Sequence, residues 1–233
     1  MNNIFYASKP DFKDGISVEI KGQEATHISK VLRHKVGDTI LVADGEGSRF
    51  DVVIREMSKQ SVVGNIQKKR EEPAPAARKI LALGLLKKRD RLEFAVEKAV
   101  ELGASEICLF NSDHSERNNS KEERLKTIIL SAFKQSGRFW LPKLVLLDSL
   151  DQVFSSYANS GFVMAHEQIE ISNQPKELIG SQTVLMVGPE GGFSKREVEL
   201  NKEKGGEFIS LGKNRLRAET AVVAFLSQYL FSN

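Results

Sequence analysis

Hydrophobic and polar positions alternate with period two over three short stretches in the first third of the chain, Thr39–Ala43, Arg49–Ile54 and Ser61–Ile66. That alternation belongs to half-buried strands. Asp44-Gly45-Glu46-Gly47 lies between the first two stretches, a cluster of turn formers that suits a hairpin. A small β-barrel over residues 1–70 is therefore expected. The run Glu71-Glu72-Pro73-Ala74-Pro75-Ala76-Ala77 comes next, and its prolines disfavour helix and interior strand alike. Residues 71–78 are expected to be an extended linker, with a second domain over 79–233.

Beyond the linker the pattern changes. Apolar runs of strand length alternate with amphipathic stretches of helix length, the signature of an α/β domain. Lys79–Leu86 reads as a buried strand, followed by a helix capped by Asp90, with Leu92, Val96, Ala99 and Val100 on one face and Gly103 at its end. Ser120 to Glu123 has capping-box spacing and opens a helix carrying Leu125, Ile128, Ile129, Ala132 and Phe133. Further strands are expected near 144–147, 161–165, 183–187 and 207–211. A last amphipathic helix from Ala218 should bury Ala221, Val222, Phe225, Leu226 and Tyr229.

Composition narrows the class. With 233 residues, 40% of them hydrophobic, the chain can bury a sizeable core. It has no run of the ~18 uncharged apolar residues that a membrane span needs, and its first residues lack the basic-then-apolar order of a signal peptide. A cytoplasmic protein is expected. The single cysteine, Cys108, sits in the apolar run Ile107–Phe110 and reads as a small buried hydrophobe. Residues 1–70 carry 12 Lys and Arg against 9 Asp and Glu, which is the whole net excess of +3. That favours an anionic partner for this segment, with Lys30, Arg33, His34 and Lys35 clustered ahead of the first barrel strands. A solvated basic face has the same signature.

Two loops in the second domain carry the candidate chemistry, each at the carboxyl end of an expected strand, where ligands sit in open parallel sheets. The first is Gly188-Pro189-Glu190-Gly191-Gly192-Phe193-Ser194, leading into a helix with capping-box spacing from Ser194 to Glu197. Its glycines free backbone groups for close contact with a ligand. The second runs from Leu211 to Ala221 and holds Gly212, Arg215, Leu216, Arg217, Ala218, Glu219 and Thr220. Glu219 suits a helix N-terminus, whereas Arg215 and Arg217 oppose the dipole and ask for another reason. No P-loop motif and no Gly-x-Gly-x-x-Gly turn after the first strand occurs, and the four histidines have no metal-ligand spacing.

At these residues the chain resembles the RsmE family, the 16S ribosomal RNA uridine-N3 methyltransferases of the SPOUT superfamily. The resemblance covers nearly the whole chain. It rests on His27-Ile28-Ser29-Lys30-Val31-Leu32-Arg33 with Gly37-Asp38, on Glu97–Gly103, on Gln135-Ser136-Gly137-Arg138 with Pro142, on Gly188–Phe193, and on Leu211-Gly212 followed by Leu216–Ala221. At His114–Asn119 the chain departs from the Glu-Arg-Ser usual in the family.

The resemblance implies a PUA-like β-barrel followed by a SPOUT α/β domain whose chain passes through a trefoil knot. It implies S-adenosyl-L-methionine held by Gly188, Pro189, Glu190, Gly191, Gly192, Leu211, Gly212, Leu216, Arg217, Ala218, Thr220 and Ala221. It also implies a homodimer acting on 16S rRNA of the small ribosomal subunit. The sulfonium already activates the methyl group, so no metal or covalent intermediate is expected. Arg138 and Arg217 are candidates for the uridine oxygens or a phosphate, and Glu190 or Glu219 for accepting the N3 proton. Two other readings stay open on the residues alone: a noncatalytic RNA-binding protein, and a phosphate-binding enzyme using the loop before Ser194. Valine at Gly191 or Gly212 is expected to block the cofactor by entering its space.

Overall fold

The computed structural model describes residues 3–58, 60–115, 122–167 and 177–230. Contacts divide the chain into two compact units, Met1–Ala74 with Phe133–Leu141, and Pro75–Ala132 with Pro142–Asn233. Among the described residues no helix is long and apolar enough to cross a membrane.

The first unit contains strands β1 (Ile4–Tyr6), β2 (Phe12–Lys13) and β3 (Ser17–Lys21), the short helix α1 (Gly22–Thr26), then β4 (Thr39–Ala43), β5 (Ser48–Met57) and β6 (Ser61–Glu71). They form one sheet in the order β1-β4-β5-β6-β3-β2, antiparallel except for the β1–β4 pair. Alternate residues Val18 and Ile20, Ile40 and Val42, and Phe50, Val52 and Ile54 turn inward onto Phe5, Ala25 and Ile28. The three alternating stretches are thus β4 and the heart of β5 and β6. The strand β6 runs on to Glu71, opposite Ser48, into the stretch expected to be linker.

The segment Phe133–Leu141, expected within the second domain, packs with this first unit. Gly47 N–H donates to the Phe139 carbonyl (3.0 Å), Leu141 N–H to the Gly45 carbonyl (2.9 Å), and Trp140 Nε1 to the Glu72 carbonyl (3.1 Å). Gly47 has φ +98°, and a Cβ there would stand 2.5 Å from the Trp140 ring, so only glycine fits. Arg49 stacks on Phe139, its Cζ 3.8 Å from the ring centroid.

The second unit contains β7 (Arg78–Gly84), α2 (Arg89–Glu101), β8 (Glu106–Phe110), most of α3 (Glu122–Ser136), β9 (Lys143–Leu147), α4 (Leu150–Ser156), β10 (Gly161–Ala165), β11 (Gln182–Val187), α5 (Lys195–Glu203), β12 (Glu207–Ile209) and α6 (Ala218–Ser227). Its strands form a wholly parallel sheet, ordered β12-β10-β11-β7-β8-β9. Both faces are covered, which is why the strands read as unbroken apolar runs. Ile80, Ala82, Cys108, Phe110, Met164, Val184 and Met186 pack with Leu150, Val153 and Phe154 of α4. The intervening Leu81, Leu83, Ile107, Leu109 and Leu185 are also buried. The helix α6 packs on α2 and β11. Burial pushes the Cys108 thiol up to about 12, so it is inert packing.

Some local expectations change. The helix α2 starts one residue before Asp90, with Lys88 as its N-cap and no side-chain cap, so Asp90 serves the helix dipole instead. Ser120 lies outside the described residues. Tyr229 is fully buried but follows the end of α6, and Ala221 is only half-buried.

The buried Lys79 Nζ donates to the Tyr229 carbonyl at 2.8 Å, tying the end of the chain to the first strand of the sheet. Lys79→Met should lower stability by about 1–2 kcal/mol, the cost of an orphaned buried acceptor. Amide exchange over residues 226–230 should speed up while β8 stays protected. Unchanged exchange there would show that the bond does not hold the chain end.

Candidate active site

A cleft of about 440 Å³ opens at the carboxyl ends of β10, β11 and β12, wholly within the second unit. Its walls are the loop after β11 (Val187–Phe193), the loop after β12 with the start of α6 (Leu211, Gly212, Asn214–Ala218, Ala221), the residues leaving β10 (Ala165–Glu167), and Arg91 of α2. Volume and lining suit a small organic molecule with a few polar ends.

The loop after β11 is held from below by a buried carboxylate. Glu197 is fully buried and accepts hydrogen bonds from Ser112 Oγ (3.0 Å), Asp113 N–H (3.1 Å) and Ser194 N–H (2.8 Å). Ser194 Oγ accepts from the Glu197 N–H in return, which closes the capping box of α5. Alongside, Asp113 takes the Arg196 guanidinium on both oxygens and the Ser194 hydroxyl. These bonds hold its carboxyl down at about 2, from an ordinary 3.8. Above this base, Gly192 N–H donates to the Pro189 carbonyl (2.9 Å), and Gly192 takes φ +70°.

The glycines divide by what surrounds them. A Cβ on Gly188 would stand 3.0 Å from the Gly192 carbonyl carbon, and one on Gly84 of β7 only 2.6 Å from Pro189 Cδ, so both are needed for packing. A Cβ on Gly191 would meet His114 Cβ at 2.9 Å, while the His114 ring nitrogen reaches the Gly191 carbonyl at 3.2 Å. Valine there would displace the His114 side chain, rather than simply enter the cleft. By contrast, nothing lies within 4 Å of a Cβ on Gly192 or Gly212, whose φ values are +70° and +132°. At those two positions the backbone borders open space.

Of the residues singled out from sequence, Gly188, Pro189, Glu190, Gly191, Gly192, Leu211, Gly212, Leu216, Arg217, Ala218 and Ala221 line the cleft. Thr220 is exposed on α6 outside the lining, and Glu219 sits behind it, its Oε1 3.5 Å from Arg91 Nε. Glu190 is exposed, and its Oε2 accepts from Lys87 N–H at 3.2 Å. Arg217 is the exposed N-cap of α6. Arg138 belongs to the first unit, and burial lowers its pKa to about 10. In that unit Lys30, Arg33 and Lys35 are exposed, Arg33 with φ +57°, while the half-buried His34 places Nδ1 3.2 Å from Asp38 Oδ2. Arg91, His166 and Glu167 were missed by the sequence reading. Arg91 left a signal, a cation in the first turn of a helix, where the dipole disfavours it.

A sequence model described as an RNA methyltransferase domain matches residues 72–230, and one described as an RNA methyltransferase PUA domain matches residues 20–67. Ribosomal RNA small subunit methyltransferase E of Mesomycoplasma hyopneumoniae is 32% identical over 173 residues, covering 70% of this chain and 74% of its own. The chain belongs to the ribosomal RNA small subunit methyltransferase E family. The Bacillus subtilis member is 28% identical over 239 residues, covering 94% of this chain and 92% of its own. A crystal structure of the Neisseria gonorrhoeae member bound to S-adenosyl methionine is 25% identical, with a TM-score of 0.83 and coverage of 98% of this chain and 97% of that one. The methyltransferase E fold is therefore a PUA-like β unit with a SPOUT-type parallel α/β unit that carries the cleft.

Glu197→Ala should destabilise the protein by about 2–4 kcal/mol in urea unfolding, because the buried Ser112 hydroxyl and two part-buried N–H groups lose their acceptor. A loss under 1 kcal/mol would mean that this carboxylate does not hold the loop. Asp113 predicts a pH effect with a definite sign. Its folded pKa is depressed, so its contribution is present above about 4 and fades as the pH falls towards 2. The acid limb of a thermal-stability profile should be shallower in Asp113→Asn; an identical limb would remove Asp113 from acid unfolding.

Proposed function

We propose that this chain binds S-adenosyl-L-methionine in the cleft and methylates N3 of a uridine in 16S rRNA of the small ribosomal subunit. The observation that carries the reading is the pair of positive-φ glycines, Gly192 and Gly212, bordering open space on facing loops. Such positions let a ligand lie against the backbone with no side chain between, although at Gly192 the N–H is already given to the Pro189 carbonyl and the carbonyl stands 3.2 Å from His114 Nδ1. Around them Pro189, Leu211, Leu216, Ala218 and Ala221 offer apolar surface, and Arg91, Glu167, Glu190 and Arg217 offer charge, a mixture that fits a nucleoside joined to a zwitterionic amino acid. Relatives named for small-subunit rRNA methylation, one of them solved with S-adenosyl methionine, support the same cofactor and substrate.

The cofactor supplies a methyl group already activated by its sulfonium, so the chain's own residues have to position the base and handle its proton. Glu190 borders the cleft and is exposed, so it is the carboxylate assigned to accept the uridine N3 proton. The Lys87 N–H on its Oε2 keeps the carboxylate in place. Arg217, at the rim, is assigned to the negative charge that develops on the uridine oxygens. Glu219 does not border the cleft and serves a positioning role. Arg138, in the first unit, is assigned to the uridine oxygens or to an RNA phosphate.

The domains divide the work on this reading. The first unit supplies phosphate contacts through Lys30, Arg33 and Lys35, with His34 bracing the turn, residues 72–77 join β6 to β7, and the second unit, which carries the cleft, supplies the chemistry. The path of the chain supports a trefoil knot: β12 lies at the outer edge of the sheet beside β10, yet α6 directly after it packs on α2 and β11. A homodimer in the cytoplasm completes the reading. Within one chain Val222, Phe225 and Leu226 of α6 are fully buried.

Calorimetric titration with S-adenosyl-L-methionine tests this directly. Wild type should bind, and Gly212→Val should bind at least ~100-fold more weakly while still unfolding cooperatively, since a strained φ costs only about 1–3 kcal/mol of stability. Undiminished affinity in a folded Gly212→Val protein would place the cofactor elsewhere, and preference of the wild type for ATP or phosphate would favour a phosphate-binding enzyme.

A further inference from the structure

Arg91 is a charged residue of the cleft to which neither the motifs nor the proposed reaction assigns a specific partner. It stands in the first turn of α2, where a cation is disfavoured by the helix dipole, and α2 has no side-chain cap to offset it. Its neighbour Arg89 is accounted for by its bond to Glu93 at 2.7 Å. Arg91 is held otherwise. Its Nε lies 3.5 Å from Glu219 Oε1, and the two side chains are 22% and 12% exposed. The second oxygen of Glu219 is shielded from water and accepts no hydrogen bond. A buried carboxylate with one oxygen unpaired is costly unless a cation stands beside it, so Glu219 fixes the guanidinium by attraction.

The approach to Glu219 is through Nε, and a guanidinium carries further N–H donors on its two Nη atoms, so Arg91, which borders the cleft, can pair with Glu219 and bind an anion together. The other charged residues of the lining are placed differently. Arg215 is 72% exposed and pairs with Glu167 at 3.4 Å, Glu190 accepts from Lys87 N–H, and Arg217 stands exposed on the rim. Arg91 is the most sheltered of the three cleft arginines, and there a charge-assisted bond to an anion is least screened.

We infer that Arg91, positioned by Glu219, binds the carboxylate of the cofactor's amino-acid end and so selects a ligand that carries one. This rests on the cofactor reading given above. Arg91 is a binding residue, and Glu219 acts through it.

The test pairs residue with ligand group. S-adenosyl-L-methionine and its decarboxylated analogue, which lacks only the carboxylate, are titrated calorimetrically into the full-length wild type, Arg91→Gln, Arg91→Lys and Glu219→Gln. Wild type should prefer the carboxylated ligand by about tenfold or more. Arg91→Gln should erase that preference while binding the analogue as wild type does, and Arg91→Lys should restore part of it. Glu219→Gln should shrink the preference without abolishing binding of the analogue. Equal weakening of both ligands in Arg91→Gln would make the residue a structural prop, and unchanged affinity for both, with RNA binding weakened instead, would make it a phosphate contact; either overturns the inference. Failure of the wild type to bind either ligand would sink the cofactor reading itself, a result distinguishable from both.

Discussion

The cleft depends on one buried carboxylate. Burying Glu197 without partners would cost several kcal/mol, and three donors from two different segments offset that cost. Because those donors sit at Ser112, Asp113 and Ser194, the price of burial is met only when the loop after β11 and the two residues Ser112 and Asp113 after β8 take one fixed arrangement. That fixes where the glycine-rich backbone lies. The tight contact of Gly188 with Gly192, and of Gly84 with Pro189, then leaves the loop one shape, and Gly192 can face open space without the loop closing over it. A binding site made of backbone groups needs such support, because no side chain can move to correct an error.

The two units follow different physics. In the parallel sheet, burial on both faces fixes strand order and register, and polar chemistry is left to the loops at one end. In the first unit, cationic side chains stand on a turn stabilised by local bonds: His34 N–H on the Ile28 carbonyl, and Asp38 receiving both the Lys35 N–H and His34. These bonds hold the Asp38 carboxyl below its ordinary range, the Lys35 N–H contributing most. Lys30, Arg33 and Lys35 remain exposed around that turn, an arrangement suited to phosphates that are read by charge more than by shape.

Legibility in the sequence followed the range of the interactions. Period-two alternation gave β4, β5 and β6, and unbroken apolar runs gave the strands of the parallel sheet, because both patterns are imposed by burial of neighbouring residues. The capping box at Ser194 was readable for the same reason: its partners are three residues apart. Long-range partners left no such trace. Nothing local to Glu197 announces that it reaches back to Ser112, and nothing local to Lys79 announces Tyr229. Phe133–Leu141 reads as the end of a helix in the second domain, yet it packs with the first unit through backbone bonds to Gly45 and Gly47. Arg138 went with it into the first unit. Arg91 was visible only as a mismatch with its helix, a sign that needs the fold before it can be interpreted.

The central claim is that this cleft presents S-adenosyl-L-methionine to a uridine of small-subunit rRNA. It is tested most directly by incubating the protein with cofactor labelled in the methyl group and 16S rRNA, as free RNA and in assembled subunits, then separating the digested nucleosides by mass. The account predicts label in N3-methyluridine and in no other nucleoside. Label in a different base or on a ribose, or no label with either form of the RNA, would contradict it.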